Sequence, residues 1–593
     1  MKAEWRLRVT KCDIDKISKE ANISKIVAKV LTNRGIKKVD EVKKFMNTSL
    51  NDLYDPFLIK DMEKGTDIIL DAIDEGKKIV VYGDYDADGV TSTTILYKAL
   101  LKLDANVKYY IPDRESEGYG MCSDRITTLK EEAAEVILTC DNGISAIEEI
   151  KLAKSLGMQV IITDHHELPF VENEGEKKYV VPDADAIINP KQSDCPYPFK
   201  LLCGAGIALK FVQALYIKLG IDEKEAYEFI EFAGIGTICD VVDLIGENRI
   251  IAKHALKMIS KTKNLGLKSL IEVLGITGGE IKSYNIGFMI GPCINATGRL
   301  DTAALSVELL MCEDKEKAEE LAKKLYELNK RRQEMTIKNV EEIIEYIETS
   351  ELKNDRVLVI YKQDVHESIA GIVAGKVREK FNVPTIILTK GKNMPKGSGR
   401  SIEEYNLFEE LVKCKELLDK FGGHPMAAGL SIKEENILKL RQKLNENCKL
   451  TENDIIPKIK IDKRIPLSII DYIFIDELEK LEPFGKGNSS PLFAEKNIEI
   501  INIKIMGKNQ NTLKLTCKMN KKDTIDAIAF NKVEELKEIL KEKHGENYMK
   551  ILNNPIGLKL DIIFYPSINE YNGHKSKQLK IKDFRISKEL NNK

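Results

Sequence analysis

The sequence predicts an α/β protein: a parallel-sheet domain, a second α/β domain joined to it by a long helix, and a C-terminal β-barrel. From Lys77 onward, short β-rich runs alternate with amphipathic helical stretches, which is the pattern of a parallel sheet with helical crossovers. A second region of this kind begins at Arg356. After about Pro457 the strand-like runs are short and separated by turns, which is typical of a small barrel.

Shifts in pattern divide the chain into five segments. The first residues are polar and helical in pattern, and we expect an arm or cap there. The runs KIVVYG, NVKYYIP, AEVILTC, MQVIITD and AIIN predict the strands of the first sheet. Thr302–Glu351 has the pattern of a long amphipathic helix between two domains. The predicted segments are a helical arm (1–76), the first α/β domain (77–245), a helical connector (246–350), the second α/β domain (351–450) and an OB-like barrel (457–590).

Composition limits the class of protein. The 593 residues are 43% hydrophobic and 31% charged, which indicates several globular domains in water. The eleven cysteines are scattered without a C-x-x-C pair, which favours a reducing cytosol over a secreted disulfide framework. The N-terminus has no signal-peptide core, and no apolar run approaches membrane-spanning length. We therefore expect a cytoplasmic protein with no membrane partner.

Charge is distributed unevenly along the chain. The net charge is only −2, so a nucleic-acid signature has to be local. Residues 451–593 carry 26 Lys and Arg against 21 Asp and Glu, a net of +5, whereas the remainder nets −7. A mildly basic barrel suits nucleic-acid binding, although a lysine-rich solvated surface explains the charge equally well.

The stretch IVVYGDYDADGVTSTTIL places three carboxylates directly after a strand. Asp84, Asp86 and Asp88 repel one another unless a cation compensates them. The spacing also matches the opening of a calcium-binding EF-hand loop. Position twelve of such a loop would be Ile95, where a bidentate Glu is required, and the preceding segment is strand-like. We therefore reject the calcium interpretation.

Other apolar runs of the first α/β domain end in similar residues. Asp141 follows VILTC, Asp164, His165 and His166 follow VIIT, and Asp240 follows a Gly-rich apolar stretch. A single aspartate after a strand is more simply explained as the cap of the next helix than as a metal ligand. Four sites in one sheet would face one crevice, because ligands bind at the carboxyl ends of parallel strands. Many oxygens with one or two imidazoles suit two Mn²⁺ or Mg²⁺ ions, which would activate water and stabilise the leaving oxygen of a phosphoester.

These motifs resemble a known family. DYDADGVTS, CDNGIS, TDHHELP and ICDVVDL are similar to the four motifs of the DHH phosphoesterases, and the whole chain resembles the bacterial RecJ exonucleases. Further matching stretches are IPDRESEGYGM, GPCINATGRLDTA, KGSGRSIEEYNLFEEL, KFGGHPMAAGLSI and LEPFGKGNSSPLFA. The resemblance implies a 5′→3′ exonuclease that degrades single-stranded DNA to 5′-mononucleotides in DNA repair and recombination. It also implies a DHH catalytic domain, a substrate-binding DHHA1 domain and a monomer that works with a single-strand-binding protein and a RecQ-type helicase.

The resemblance assigns roles to the clustered residues. Asp141 is expected to bridge the two ions, and His166 to orient the scissile phosphate or a ligand. Asp164 is expected to hold a histidine tautomer, though it could itself touch metal. The expected metal ligands are Asp84, Asp86, Asp88, Asp141, His165 and Asp240, and the expected catalytic residues are His166, Asp141 and Asp164.

A second set of residues is expected to contact DNA. Arg400 could form bidentate bonds to a phosphate, and Tyr119 could stack on a base or equally belong to the core. The glycines of this set could also serve tight turns only. We expect the two α/β domains to leave a groove too narrow for duplex. The candidates are Arg299, Arg400, Ser401, Gly422, Gly423, His424 and Tyr119.

Two other functions stay open at this point. Smaller relatives hydrolyse short oligoribonucleotides or cyclic dinucleotides, but they resemble the two α/β domains alone, so the arm and the barrel favour a longer polymer. A non-catalytic DNA-binding adaptor would lose metal carboxylates, whereas this chain keeps them all.

Overall fold

The computed structural model describes residues 3–118, 120–173, 176–276, 279–571 and 573–587, without the side chains of 171–177 and 571. Contacts divide the chain into two compact units. One unit comprises residues 49–457, and the other is formed by the residues on either side of that range. The predicted α/β class is confirmed in the first unit, and the predicted barrel lies in the second.

The N-terminal segment, for which a helical arm or cap is expected over residues 1–76, is divided between the two units. It contains β1 Glu4–Leu7, α1 Ile14–Ala21, α2 Lys25–Asn33, α3 Val39–Met46 and α4 Met62–Asp74. The first four elements belong to the unit that contains the barrel, where Val27 and Leu31 are buried in the barrel's core. Helix α4 belongs to the other unit and buries Ile69 there. Two separate apolar faces therefore divide the segment between two cores.

The first α/β domain is built on a five-stranded sheet with every pairing parallel, in the order β3-β2-β4-β5-β8. The runs KIVVYG, AEVILTC and MQVIITD form strands whose apolar residues are buried, as in a sheet covered on both faces, whereas the run NVKYYIP forms a partly buried strand at the sheet edge. A separate hairpin, β6 with β7, follows strand β5. The elements are β2 Ile79–Tyr82, α5 Ala87–Lys102, β3 Val107–Tyr110, α6 Ser123–Glu131, β4 Val136–Cys140, α7 Ile147–Ser155, β5 Gln159–Thr163, β6 Phe170–Asn173, β7 Glu176–Tyr179, β8 Ala186–Ile188, α8 Gly204–Lys218 and α9 Ile230–Cys239.

The connector is helical, as predicted. It contains α10 Gly246–Ile259, α11 Leu265–Val273, α12 Ser283–Asn285, a π-helical segment Ile286–Ile290, α13 Gly291–Leu300, α14 Ala304–Met311 and α15 Lys315–Thr349. The helix expected over Thr302–Glu351 is interrupted, because the Asp314 side chain accepts a bond from Lys317 N and caps the start of α15. Helix α15 buries Leu325 in the first domain's core and Ile343 in the second's, so it links the two as predicted.

The second α/β domain has a five-stranded sheet in the order β12-β13-β11-β10-β9. Strands β9 and β10 pair in parallel, and the other three join antiparallel. The elements are β9 Leu358–Tyr361, α16 Ala370–Phe381, β10 Thr385–Thr389, β11 Lys396–Arg400, α17 Leu407–Val412, β12 Leu418–His424, β13 Ala427–Ile432 and α18 Ile437–Asn447.

The C-terminal residues form the predicted barrel. Its strands follow the order β15-β16-β17-β18-β20-β19, and the pairing of β16 with β19 closes the sheet. Strand β14 lies outside the barrel and pairs in parallel with β1. The elements are β14 Lys458–Ile461, β15 Lys463–Arg464, α19 Tyr472–Glu479, β16 Phe493–Met506, β17 Thr512–Lys518, β18 Thr524–Phe530, α20 Val533–His544, α21 Tyr548–Asn553, β19 Lys559–Tyr571 and β20 His574–Ile586.

Candidate metal centre

Three neighbouring strands of the first sheet deliver carboxylates to one edge. Asp84 lies two residues beyond β2, while Asp141 and Asp164 directly follow β4 and β5. These strands are paired in parallel, so their carboxyl ends meet at the same edge. All three carboxylates are buried. Burial of like charges at one point is costly unless they are compensated.

The loop after β2 turns into a helix through its own aspartates. Asp86 caps α5, because its Oδ1 accepts from Asp88 N at 2.9 Å and Gly89 N at 3.0 Å. The Asp88 carboxylate accepts from Gly204 N at 2.7 Å and Ala205 N at 2.9 Å, the first residues of α8. The positive end of that helix therefore holds the buried Asp88.

The structure brings every proposed metal ligand into three overlapping groups, within each of which the ligand atoms lie no more than 4.8 Å apart. Asp141 and His165 each belong to two groups, and their Oδ1 and Nε2 atoms are 3.0 Å apart. His165 Nε2 is also 3.7 Å from Asp88 Oδ2 and 3.6 Å from Asp240 Oδ2. We call the seven residues the carboxylate cluster; its groups are Asp84, Asp86 and Asp141; Asp88, His165 and Asp240; and Asp141, His165 and His166.

Asp164 has its oxygens engaged by neighbouring groups. It accepts from Ile144 N at 2.9 Å, from His165 N at 2.7 Å and from His166 N at 3.1 Å, and Oδ1 lies 2.7 Å from His166 Nδ1. Burial alone would raise its pKa, but the positive charge and hydrogen bond of His166 hold the pKa well below the ordinary value. This arrangement suits a residue that orients His166 better than a metal ligand.

The two histidines differ in exposure and in charge. The His165 side chain is 10% exposed, and burial together with the charge of His166 lowers its pKa to about 3. The His166 side chain is 41% exposed, and Asp164 outweighs the effect of burial and raises its pKa to about 9. His165 is therefore a neutral imidazole suited to metal binding, and His166 is a cation at the open side of the site.

The donor set fits divalent cations. Among the described residues, Asp84 Oδ1 and His165 Nε2 are buried without a hydrogen-bond partner. Burial, followed by the charges of the other aspartates, raises the pKa of Asp88 to about 6 and that of Asp240 to about 8. The pKa of the Asp141 carboxyl is raised well above its ordinary value for the same reasons. Cations coordinated by these oxygens and imidazoles would relieve the repulsion, and hard oxygen ligands with imidazole suit Mn²⁺ or Mg²⁺.

Two glycines, which the sequence analysis did not single out, give the cluster its close packing. A Cβ on Gly204 would lie 2.6 Å from Asp141 Cβ, and a Cβ on Gly236 would lie 2.4 Å from Asp88 Oδ1. Asp141 itself has a positive φ of 62°, so its backbone has little room to move. Glycines inside apolar helical runs, such as GAGIALKF and AGIGTIC, are the sequence signal for such close approaches.

A cleft rich in cations adjoins the cluster. This basic cleft, of about 540 Å³, includes Arg114, Arg299, Lys396 and Arg400 in its lining, together with Tyr85, which lies between Asp84 and Asp86 in the sequence. The Arg114 guanidinium lies 4.7 Å from the centre of the Tyr85 ring. Both α/β domains contribute to this cleft, so it is suited to an anion placed next to the cluster.

Within the basic cleft, charges are only partly compensated. Lys396 Nζ pairs with Glu367 at 2.7 Å. Arg299 donates to the Ser368 carbonyl, and burial with the neighbouring charges of Arg114 and Arg332 lowers its pKa to about 9. Arg400 donates to the Gly399 carbonyl at 2.7 Å. An oxyanion would be attracted to these guanidiniums.

The other DNA-contact candidates lie elsewhere. Gly422, Gly423 and His424 lie on the exposed strand β12 and are not in the described lining of the basic cleft. Ser401 is buried and donates to the Tyr405 carbonyl at 2.7 Å, which gives its hydroxyl a structural contact instead of a place at the surface. Tyr119 lies outside the described residues. Arg114 and Lys396 lie in the matching stretches IPDRESEGYGM and KGSGRSIEEYNLFEEL, but neither is a predicted site residue, because a single cation in a loop or strand has no distinctive pattern of its own.

In the described part of the chain, no helix combines the length and the hydropathy that a membrane span requires.

Comparison with known proteins agrees with the geometry. Three domain families match: the N-terminal domain of the DHH family over residues 78–237, the DHHA1 domain over 354–450 and the RecJ OB domain over 461–583.

The relatives match over nearly the whole chain. The single-stranded-DNA-specific exonuclease RecJ of Bacillus subtilis is 40% identical over 592 residues, covering 99% of this chain and 71% of that protein. RecJ of Haemophilus influenzae is 31% identical, and the match covers 90% of this chain and 92% of that protein. The crystal structure of Thermus thermophilus RecJ in complex with Mn²⁺ matches with a TM-score of 0.80 and 26% identity, covering 99% of this chain and 80% of that one. The chain therefore belongs to the RecJ family.

Proposed function

We propose that this protein is a 5′→3′ exonuclease that degrades single-stranded DNA to 5′-mononucleotides and serves DNA repair and recombination. One observation carries the proposal: a buried carboxylate and histidine cluster that fits divalent cations lies beside a cleft lined by four cationic side chains. A phosphodiester backbone is the ligand that both features suit. The curated relatives carry the name of single-stranded-DNA-specific exonucleases, which supports the same substrate.

Each residue of the cluster has a distinct part in the proposed reaction. Two bound Mn²⁺ or Mg²⁺ ions would supply an activated water and stabilise the charge on the leaving oxygen. Asp84 and Asp86 would hold one ion, and Asp88, His165 and Asp240 the other. Asp141 shares one group with Asp84 and Asp86, and its Oδ1 lies 3.0 Å from Nε2 of His165 in the other group, which supports a role as the ligand common to both ions. No Ser or Cys nucleophile is required by this arrangement.

His166 would position the scissile phosphate. Asp164 fixes its ring through Nδ1 at 2.7 Å, and the ring is exposed on the open side of the cluster. A cation held in this orientation can pair with a phosphate oxygen before and during bond cleavage. Asp164 would then act through His166 as a positioning residue.

The basic cleft would hold the strand next to the cluster. Arg114, Arg299 and Arg400 offer planar donors to phosphate oxygens, and Tyr85 places the cleft directly beside the metal ligands. The cleft lies between two domains that α15 links. We therefore assign residues 77–245 to catalysis and residues 351–450 to the second wall of the strand path. The barrel at 457–590 would add sequence-independent contacts to the strand.

The test is a substrate panel with the full-length protein. Single-stranded oligonucleotide, blunt duplex and a cyclic dinucleotide are incubated with Mn²⁺, and parallel reactions contain EDTA. We expect mononucleotides from the single strand alone, and no product with EDTA. Preferred hydrolysis of the cyclic dinucleotide, or strand binding without hydrolysis under any metal, would overturn the proposal in favour of the two other functions that the sequence leaves open.

Finer expectations accompany the main proposal. We infer a cytoplasmic location, because the eleven cysteines are free, as expected in a reducing compartment. We also propose a monomer that cooperates with a single-strand-binding protein and a RecQ-type helicase, on the strength of the family resemblance. Size measurement in solution and pull-down with each purified partner test these points separately.

A further inference from the structure

An exposed aromatic pair stands on the connector of the first unit. Tyr284 is 65% exposed and Phe288 is 69% exposed. Their rings are stacked, with centroids 5.1 Å apart and planes inclined by 24°. Single exposed apolar residues are common, but two large rings stacked in water leave a flat apolar face uncovered. Phe288 also lies in the π-helical segment, a distortion that often marks functional sites.

The segment that carries Phe288 packs against the end of α9. A Cβ on Gly291 would lie 2.3 Å from Cys239 Sγ, and a Cβ on Gly287 would lie 3.7 Å from Ile238 Cγ2. Asp240 of the carboxylate cluster directly follows these two residues of α9. The glycines on either side of Phe288 thus bring its backbone against the helix end that presents a proposed metal ligand.

The same helical run continues past the cluster to the basic cleft. Asn295 Oδ1 accepts from Ala87 N at 2.9 Å, between Asp86 and Asp88. Arg299, one turn further, lines the basic cleft. Phe288 precedes Asn295 by seven residues, which corresponds to about 10 Å along a helix axis, or about three stacked bases. The aromatic pair and the cationic cleft therefore lie at opposite ends of one element that touches the cluster in between.

We propose that Tyr284 and Phe288 form a stacking platform for unpaired bases of the substrate strand on the 3′ side of the scissile phosphate. This inference rests on the proposed function: if the terminal nucleotide occupies the basic cleft, the rest of the strand leaves on the side of Asp240. Aromatic rings stack on any base and require that the base be unpaired, so such a platform favours single strands without reading their sequence.

The test couples a protein change to a substrate change. Phe288→Ala is assayed on an intact single strand and on a strand whose second to fifth nucleotides from the 5′ end are abasic. Base-aromatic stacking is worth about 1–3 kcal/mol per base, so kcat/KM on the intact strand should fall about 5- to 150-fold. The loss on the abasic strand should be much smaller, because those bases are already missing. Tyr346→Ala removes a 54% exposed ring from α15 and is the matched control.

Two further measurements separate stacking from folding and from the proposed function. Phe288→Trp should recover kcat/KM, because it restores an aromatic face. Strands with 2-aminopurine at the same nucleotides, bound in EDTA, should lose fluorescence with the unaltered protein and keep it with Phe288→Ala. This readout needs no hydrolysis, so it remains decisive if the protein is not a nuclease. Equal losses of kcat/KM on intact and abasic strands, or equal quenching by both proteins, would overturn the platform.

Discussion

A methyl group added at Gly204 should disable the metal centre without replacing any proposed ligand. The new Cβ would lie 2.6 Å from Asp141 Cβ, about 0.9 Å short of an ordinary carbon contact of ~3.5 Å. Asp141 has a positive φ of 62° and cannot retreat freely, so its carboxylate has to shift by roughly 1 Å. A misplacement of that size costs about 100-fold in rate, or about 2.7 kcal/mol of barrier.

The matched control for Gly204→Ala lies two residues further along α8. The three atoms nearest to a Cβ on Gly206 all belong to the flexible Leu202 side chain, the closest at 3.2 Å, and alanine favours the helix by about 1 kcal/mol. Turnover of a 5′-labelled strand, Mn²⁺ affinity by calorimetry and Tm are measured for both variants. We expect Gly204→Ala to lose turnover and Mn²⁺ affinity and Gly206→Ala to keep both. Unchanged turnover in Gly204→Ala, or equal losses in the two variants, would refute the assignment of Asp141.

Three other changes test separate parts of the account. Asp141→Ala should abolish hydrolysis while strand binding in a polarisation assay survives; near-normal turnover would remove Asp141 from the centre. In the metal-free protein the raised pKa values of Asp88, about 6, and Asp240, about 8, should make Tm fall as pH rises from about 4 to 8, because in this window the folded state still holds protons that the unfolded state has already released. The Tm gain from Mn²⁺ should grow over the same pH window, and a constant gain would contradict this. Removing residues 1–48 together with 458–593 should weaken binding to long strands and flatten its salt dependence; an unchanged salt slope would exclude the barrel from DNA binding.

Local patterns predicted the residues whose position follows from strand periodicity. Asp84, Asp141 and Asp164 were placed correctly at one sheet edge, because buried parallel strands are recognisable as apolar runs and their ends must meet. The barrel and the linking helix α15 were predicted for similar reasons. The break before α15 was missed, since Asp314 is a helix cap only once its neighbours adopt the capped geometry.

Long-range packing was not predictable from a single sequence. The association of α2 with the barrel's core joins residues more than four hundred positions apart, and no local sequence pattern predicts it. Ser401 is buried with its hydroxyl bonded to the Tyr405 carbonyl, a contact that the sequence motif does not reveal, and its place at the substrate stays a prediction. Arg114 was not predicted as a site residue, because only the folded structure places it in the same cleft as Arg299 and Arg400.

The central claim is that the cluster hydrolyses single strands from the 5′ end. The most direct measurement is a time course with one oligonucleotide labelled at the 5′ end and the same oligonucleotide labelled at the 3′ end, each single-stranded and annealed into a blunt duplex, with Mn²⁺ present. The account predicts immediate release of labelled mononucleotide from the 5′-labelled single strand, late release from the 3′-labelled strand, and little product from the duplex. Early mononucleotide release from the 3′ label, or equal digestion of the blunt duplex, would contradict it.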